Sequence, residues 1–128
     1  AYLDHMLAGV VPKAGRLTLA PMLTPKGKLY GDLTVACLAD DHFILFGSGA
    51  MQDAHRRWFE QQLPDSVSYA NVSDEWHGVA LSGPKSRALL AQLMRDDIAS
   101  MKFRDLRQTF VAGVPVILNR ISFSGELG

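Results

Sequence analysis

The chain has one cysteine, no excess of charge of either sign and no long apolar run. Cys37 alone can form no internal disulfide. Its place in the apolar stretch 33–38 reads as a buried, inert thiol and suits a reducing compartment. With 13 basic and 13 acidic side chains spread along 128 residues, no broad field is available to neutralise phosphates, which argues against nucleic acid as a partner. The longest apolar runs, 114–118 and 43–46, fall far below the roughly 20 residues of a membrane-spanning helix, so no membrane partner is expected. His5, His42, His55 and His77 fall on separate segments without paired ligand spacing, and no metal site is expected. No Gly-x-Ser-x-Gly elbow occurs, and Ser82-Gly83-Pro84 runs into a proline, which suits a cap better than a nucleophile. The first residues carry neither an initiator Met nor a signal-peptide n-region. The last seven, from Ser122 to Gly128, set Glu126 on a glycine hinge after a β-rich run, and the chain is expected to be a portion of a longer one.

What is present describes a globular domain. Hydrophobic residues make up 48% and charged residues 20%, enough apolar surface for a single core. Tyr2, Leu3, Met6, Leu7 and Val10 recur at helical spacing before Pro12. Residues 16–22 then read as a strand, with Pro25-Lys26-Gly27-Lys28 as a tight reversal into a second strand. In that second strand Leu29, Gly31, Leu33 and Val35 are expected on one face and Tyr30, Asp32, Thr34 and Ala36 on the other. A third strand covers 43–46. Ser48 is placed to cap a helix with Asp53 near its start and Ala54, Trp58, Phe59 and Leu63 as its buried stripe. Strands are predicted over 67–72 and 76–81, and a helix from Gly83-Pro84 with Leu89, Leu90, Leu93 and Met94 facing inward. A hairpin of 103–111 and 114–123, turning at Ala112-Gly113, closes the chain. Hairpins packed with segregated helices predict an α+β fold with a largely antiparallel sheet.

Little in this pattern carries chemistry on its own. Gly47-Ser48-Gly49 lies between a strand and a helix, as a dinucleotide fingerprint would, with Asp74 beyond as a ribose ligand. Gln52 stands where the third glycine belongs, and the surrounding strands form hairpins, so a helix-cap loop is the better reading. Arg56 and Arg57 could hold an anionic tail but read more simply as a solvated helix face. Asp32 and Glu126 remain as polar-face carboxylates.

Three stretches together resemble the folate-binding domain of the aminomethyltransferase family, that of the glycine-cleavage T protein. They are 21–27 with Gly31-Asp32-Leu33-Thr34-Val35, then Gly83-Pro84-Lys85-Ser86-Arg87, then 120–128 ending Gly125-Glu126-Leu127-Gly128. Phe46-Gly47-Ser48-Gly49 and His55-Arg56-Arg57-Trp58-Phe59 are closer to the version of this domain in FAD-dependent dimethylglycine and sarcosine dehydrogenases or oxidases. Where the T protein typically has a second acid and an asparagine, this chain has Gly31 and Ser48, which favours the demethylating flavoenzymes.

The resemblance implies tetrahydrofolate as ligand and a one-carbon transfer giving methylene-tetrahydrofolate. FAD would lie in a separate domain of the same polypeptide, which oxidises a small N-methyl amine. Asp32 matches the family's key carboxylate beside the folate nitrogens, and Glu126 the acid that accepts hydrogen bonds from the pterin. Ser48 and Met22 are implied as further pocket residues. Leu19 stands where some relatives carry a tyrosine against the folate and offers contact without a hydroxyl; Asn119 replaces an aromatic. The remaining ligand-binding residues of the family, arginines among them, are expected beyond Gly128, so this portion alone is expected to be inactive. The implied location is the cytoplasm, or the mitochondrial matrix in a eukaryote. A stand-alone aminomethyltransferase working with a lipoyl carrier, and a non-catalytic module of the same fold, are the alternatives.

Overall fold

The 25–28 reversal forms as its residues demand. In the computed structural model, which describes residues 2–122 and 124–128, Gly27 adopts φ +71° and its amide donates to the Thr24 carbonyl at 2.8 Å. The turn joins β1 (Arg16–Leu23) to β2 (Leu29–Ala39), and β3 (His42–Phe46) follows on the far side of β2, giving an antiparallel sheet in the order β1-β2-β3. Successive side chains alternate between the two faces of this sheet. Ala20, Met22, Leu33 and Val35 on the inner face join Met6, Leu7 and Phe59 in the main core.

The alternation fails at one residue. Met22 pairs with Gly31 but Leu23 pairs with Leu29, so Tyr30 is left as the extra residue of a β-bulge. Tyr30 consequently leaves the face expected for it beside Asp32. It stacks on Trp58 with ring centroids 4.6 Å apart.

The opening helix, α1 (Tyr2–Met6), is shorter than the spacing out to Val10 predicts, and Val10 lies exposed. The Ala8 amide donates to the Pro21 carbonyl at 2.8 Å, tying this end to β1.

After β3 the chain passes through a 3₁₀ turn at Gly49–Met51 into α2 (Gln52–Glu60). Ser48 makes no side-chain cap, contrary to expectation, because the 3₁₀ turn sets the helix start four residues further on. Asp53 does lie in the first turn, where its charge meets the positive end of the helix. The buried stripe is His55 and Phe59, with Ala54, Trp58 and Leu63 only partly covered.

The strands predicted at 67–72 and 76–81 are absent. Residues 64–85 run without regular structure apart from local turns, and Val79 is 92% exposed. Alternating apolar residues make a strand only when an edge is there to pair with, and no sheet edge among the described residues meets them. From this stretch Tyr69 reaches the core, stacking on Phe59.

The helix predicted from Gly83-Pro84 begins later, as α3 (Ser86–Leu93). Gly83 has φ +117° and opens a turn closed by the Ser86 amide on the Gly83 carbonyl. Leu89 and Leu93 are exposed rather than inward-facing, while Leu90 and Met94 are partly covered.

The final hairpin is β4 (Leu106–Val111) and β5 (Val114–Asn119). Ala112 and Gly113 have φ +50° and +82°, the pair of left-handed residues that a two-residue hairpin turn requires. β4 starts three residues later than predicted because Arg104, at φ +68°, breaks the extended run. Phe123, the predicted end of the last strand, lies outside the described residues. The hairpin joins the first sheet at its base: Leu17 donates to the Arg104 carbonyl at 3.0 Å, Leu106 to Gly15 at 2.9 Å, and Arg16 bridges Asp105. Leu106 and Ile117 then pack on Leu17 and Ala36, on the outer face of the first sheet. The whole is an α+β arrangement with antiparallel pairing throughout the described strands.

Candidate functional site

The β4–β5 hairpin covers only part of the outer face. Beyond the covered Leu17 and Ala36, the same face carries Leu19, Asp32, Thr34 and Phe46. Leu19 is opposite Thr34, Thr34 opposite Phe46, and Asp32 opposite Pro21. Asp32 is exposed, Leu19 is 59% exposed and Phe46 40%. A carboxylate thus stands beside an aliphatic and an aromatic side chain on an uncovered stretch of sheet. Such a surface offers contact area to a flat ligand and an acceptor to its N–H groups.

Met22 does not belong to this surface. It is fully buried on the inner face, where its terminal methyl lies over Gly31. Ser48 is exposed two residues beyond Phe46, in extended backbone, and its carbonyl accepts from Met51 at 3.0 Å.

Glu126 sits in a curled segment after β5. One of its carboxylate oxygens accepts from the Ser124 amide at 2.8 Å and from the Ser124 hydroxyl at 2.6 Å, while Gly125 turns at φ +89°. The Leu127 carbonyl accepts from Gly83 N–H at 2.8 Å and from the Ser86 hydroxyl at 2.9 Å, and the Arg120 guanidinium donates to the Gly128 carbonyl. This segment is therefore pinned to the start of α3 and to the base of the hairpin. That base meets β1 at Arg16, five register pairs from the Pro21–Asp32 pair, or about 17 Å along the strand.

A hollow of about 460 Å³ lies between α3 and residues 96–99, with Leu127 in its wall, and another of about 390 Å³ lies between Leu93 and the β4–β5 turn. Neither is lined by Asp32, Glu126, Leu19, Ser48 or Met22.

Arg56 is engaged by Glu60 at 3.2 Å and lies 3.8 Å from Asp53, pairs of the solvated helix-face kind. Burial pushes the Cys37 thiol pKa up, in keeping with an inert cysteine. Asp105 is held below its ordinary value chiefly by the Lys102 amide, which donates to it at 2.6 Å, and also by the Arg16 guanidinium. That ion pair secures the hairpin base. Among the described residues no group of acids, histidines or cysteines is placed to hold a metal ion, and no helix is long and apolar enough to cross a membrane.

The residue that sequence reasoning missed is His55. It is 6% exposed, its Nε2 has no hydrogen-bond partner among the described residues, and it faces Gly31 and Gly47. The available signal was its position four residues before Phe59, on the same helix face.

Residues 1–128 match the family model described as the GCVT N-terminal domain. The chain belongs to this family. Its relatives include the mitochondrial dimethylglycine dehydrogenase of Homo sapiens, 34% identical over 98% of this chain and 15% of the relative. An aminomethyltransferase of Anoxybacillus flavithermus is 31% identical over 100% of the chain and 36% of that protein. Another, from Halothermothrix orenii, is 27% identical over 91% and 32%. The GCVT N-terminal domain described here thus spans about a third of the aminomethyltransferases it matches and a smaller part of the dehydrogenase. These relatives are enzymes by name, and they are of two kinds.

Proposed function

We propose that the chain is the amino-terminal part of a tetrahydrofolate-binding domain in an FAD-dependent N-demethylating dehydrogenase of the dimethylglycine or sarcosine type. The single observation that carries the reading is the uncovered outer face, where Asp32 stands among Leu19, Thr34 and Phe46. A reduced pteridine is flat, with an apolar face and an edge rich in N–H donors, and this set of side chains fits it. The 34% identity to a dimethylglycine dehydrogenase supports the choice of parent. FAD, in a separate domain, would supply the oxidation of the N-methyl amine. The present chain would receive the one-carbon unit and direct it to the folate.

In this reading Asp32 accepts a hydrogen bond from the reacting folate nitrogen, takes up its proton and stabilises positive charge as the methylene bridge forms. Leu19 and Phe46 supply contact area, and Ser48 borders the same end of the sheet. Glu126 accepts two parallel N–H donors from the pyrimidinone edge, exchanging its Ser124 contacts for the ligand. Met22 acts from beneath, through its contact with Gly31. The 31% identity over the whole chain to an aminomethyltransferase favours a second reading, a stand-alone transferase that uses the same face for the same ligand.

The test is Asp32→Asn in the full-length protein. Methylene transfer to tetrahydrofolate should fall by about 10²-fold or more while amine oxidation stays near wild type. Equal loss of both activities, or no saturable tetrahydrofolate binding by the wild-type protein, overturns the reading.

A further inference from the structure

Asp32 is exposed, and among the described residues no side-chain hydrogen bond or ion pair holds its carboxylate. The course of its Cα–Cβ bond is set by the backbone, through the pairing of Asp32 with Pro21 and through the two residues before it. Both of those preceding residues are gripped by α2. Tyr30 stacks on Trp58, and its hydroxyl donates to the Ala54 carbonyl at 3.4 Å. At Gly31 a Cβ would lie 2.5 Å from His55 Nε2, 3.0 Å from His55 Cε1 and 2.9 Å from the Met22 methyl. A Cβ at Gly47 would meet Leu33 at 2.6 Å and His55 Nδ1 at 3.3 Å. Neither glycine has a left-handed backbone, so both are there for space and not for conformation. The imidazole occupies that space, wedged between β2 and the loop after β3.

An apolar side chain of similar size would fill the slot without leaving a ring nitrogen buried and unpaired. An imidazole in this place points to a requirement for its flat shape and fixed orientation, which packing alone would not impose.

We propose that His55 is a positioning residue for Asp32. Its ring, set against the side-chain-free backbone of Gly31, fixes the bulge at Tyr30 and so aims the carboxylate across the open face. This inference rests on the folate-transfer reading of that face. Misplacing a catalytic group by about an ångström can cost up to about 100-fold in rate, so small shifts of the bulge are enough to matter.

The experiment is a double-mutant cycle in the full-length protein, read by kcat and KM for tetrahydrofolate-dependent methylene transfer. Gly31→Ala should lower kcat by about 10- to 100-fold with a smaller change in KM. His55→Ala should lower it by a smaller factor. Adding His55→Ala to Gly31→Ala should recover activity toward the level of His55→Ala alone, because the closest clash is gone and only the flexible Met22 methyl must shift. In an Asp32→Asn background both substitutions should have little further effect, since the group they aim is absent. A merely structural role predicts the opposite: losses that follow the melting temperature and multiply with that of Asp32→Asn, and that outcome overturns the inference. If His55→Ala does not fold, His55→Ser, which also removes the ring atoms facing Gly31 and leaves a small polar group, completes the same cycle. An Asp32→Asn protein with normal transfer would overturn the folate reading and this inference together. An Asp32→Asn defect with undiminished His55 effects would overturn this inference alone.

Discussion

The two halves of the chain are built to different standards. In the first, residues 2–63, the inner sheet face, α1 and the His55–Phe59 stripe of α2 enclose a core in which Met22 and Val35 are fully buried. In the second, α3 leaves Leu89 and Leu93 exposed, 64–85 has no regular structure, and the two-stranded β4–β5 sheet is buried mainly through Leu106. The contrast teaches that apolar content does not by itself make a core. Both halves are rich in leucine and valine, but only the first brings a sheet face and helix stripes into register.

Breaking the first half should show the largest effect. Phe59→Ala, at a side chain 1% exposed, should cost about 3–5 kcal/mol in denaturant unfolding. Gly47→Ala, although the glycine itself is exposed, should cost about 1–3 kcal/mol, because its Cβ would meet the buried Leu33 side chain at 2.6 Å and force it to shift. The seam between the halves is probed by pH. The folded-state pKa of Asp105 is depressed, so its contribution is fully present above the unfolded carboxylate value and is lost as the pH falls through the lower folded one. Asp105→Asn should accordingly lower the melting temperature most at neutral pH and least at the acid end, which flattens the acid limb of melting temperature against pH. In the second half, Val79→Ser should change stability by less than about 0.5 kcal/mol, at a site 92% exposed. A large loss there would mean that the contrast is wrong.

Legibility followed the same division. The Pro25–Lys28 reversal and the Ala112-Gly113 turn were readable because each depends on residues adjacent in sequence. Strand alternation correctly set Asp32 and Leu33 on opposite faces, but it could not foresee the bulge that removes Tyr30, which lets that ring stack on Trp58 of a distant helix. The absent strands at 67–72 and 76–81 had the right composition and, among the described residues, no edge to pair with, and pairing is a tertiary fact. Of the site, period 2 and the register place Asp32 with Leu19 and separate them from Met22. Glu126 was legible as a carboxylate on a glycine turn, but its engagement with Ser124 was not, since that depends on how the terminal segment curls. His55 was overlooked because its importance comes from two glycines far from it in sequence.

The seam at residues 15–17 and 104–106 has a topological consequence. It ties the first sheet to the last hairpin by main-chain bonds and by the Leu17–Leu106 contact, on either side of the exposed stretch 73–80. A protease that severs that stretch would leave two pieces still laced edge to edge. The cut chain should migrate as one particle under native conditions and come apart only when denatured.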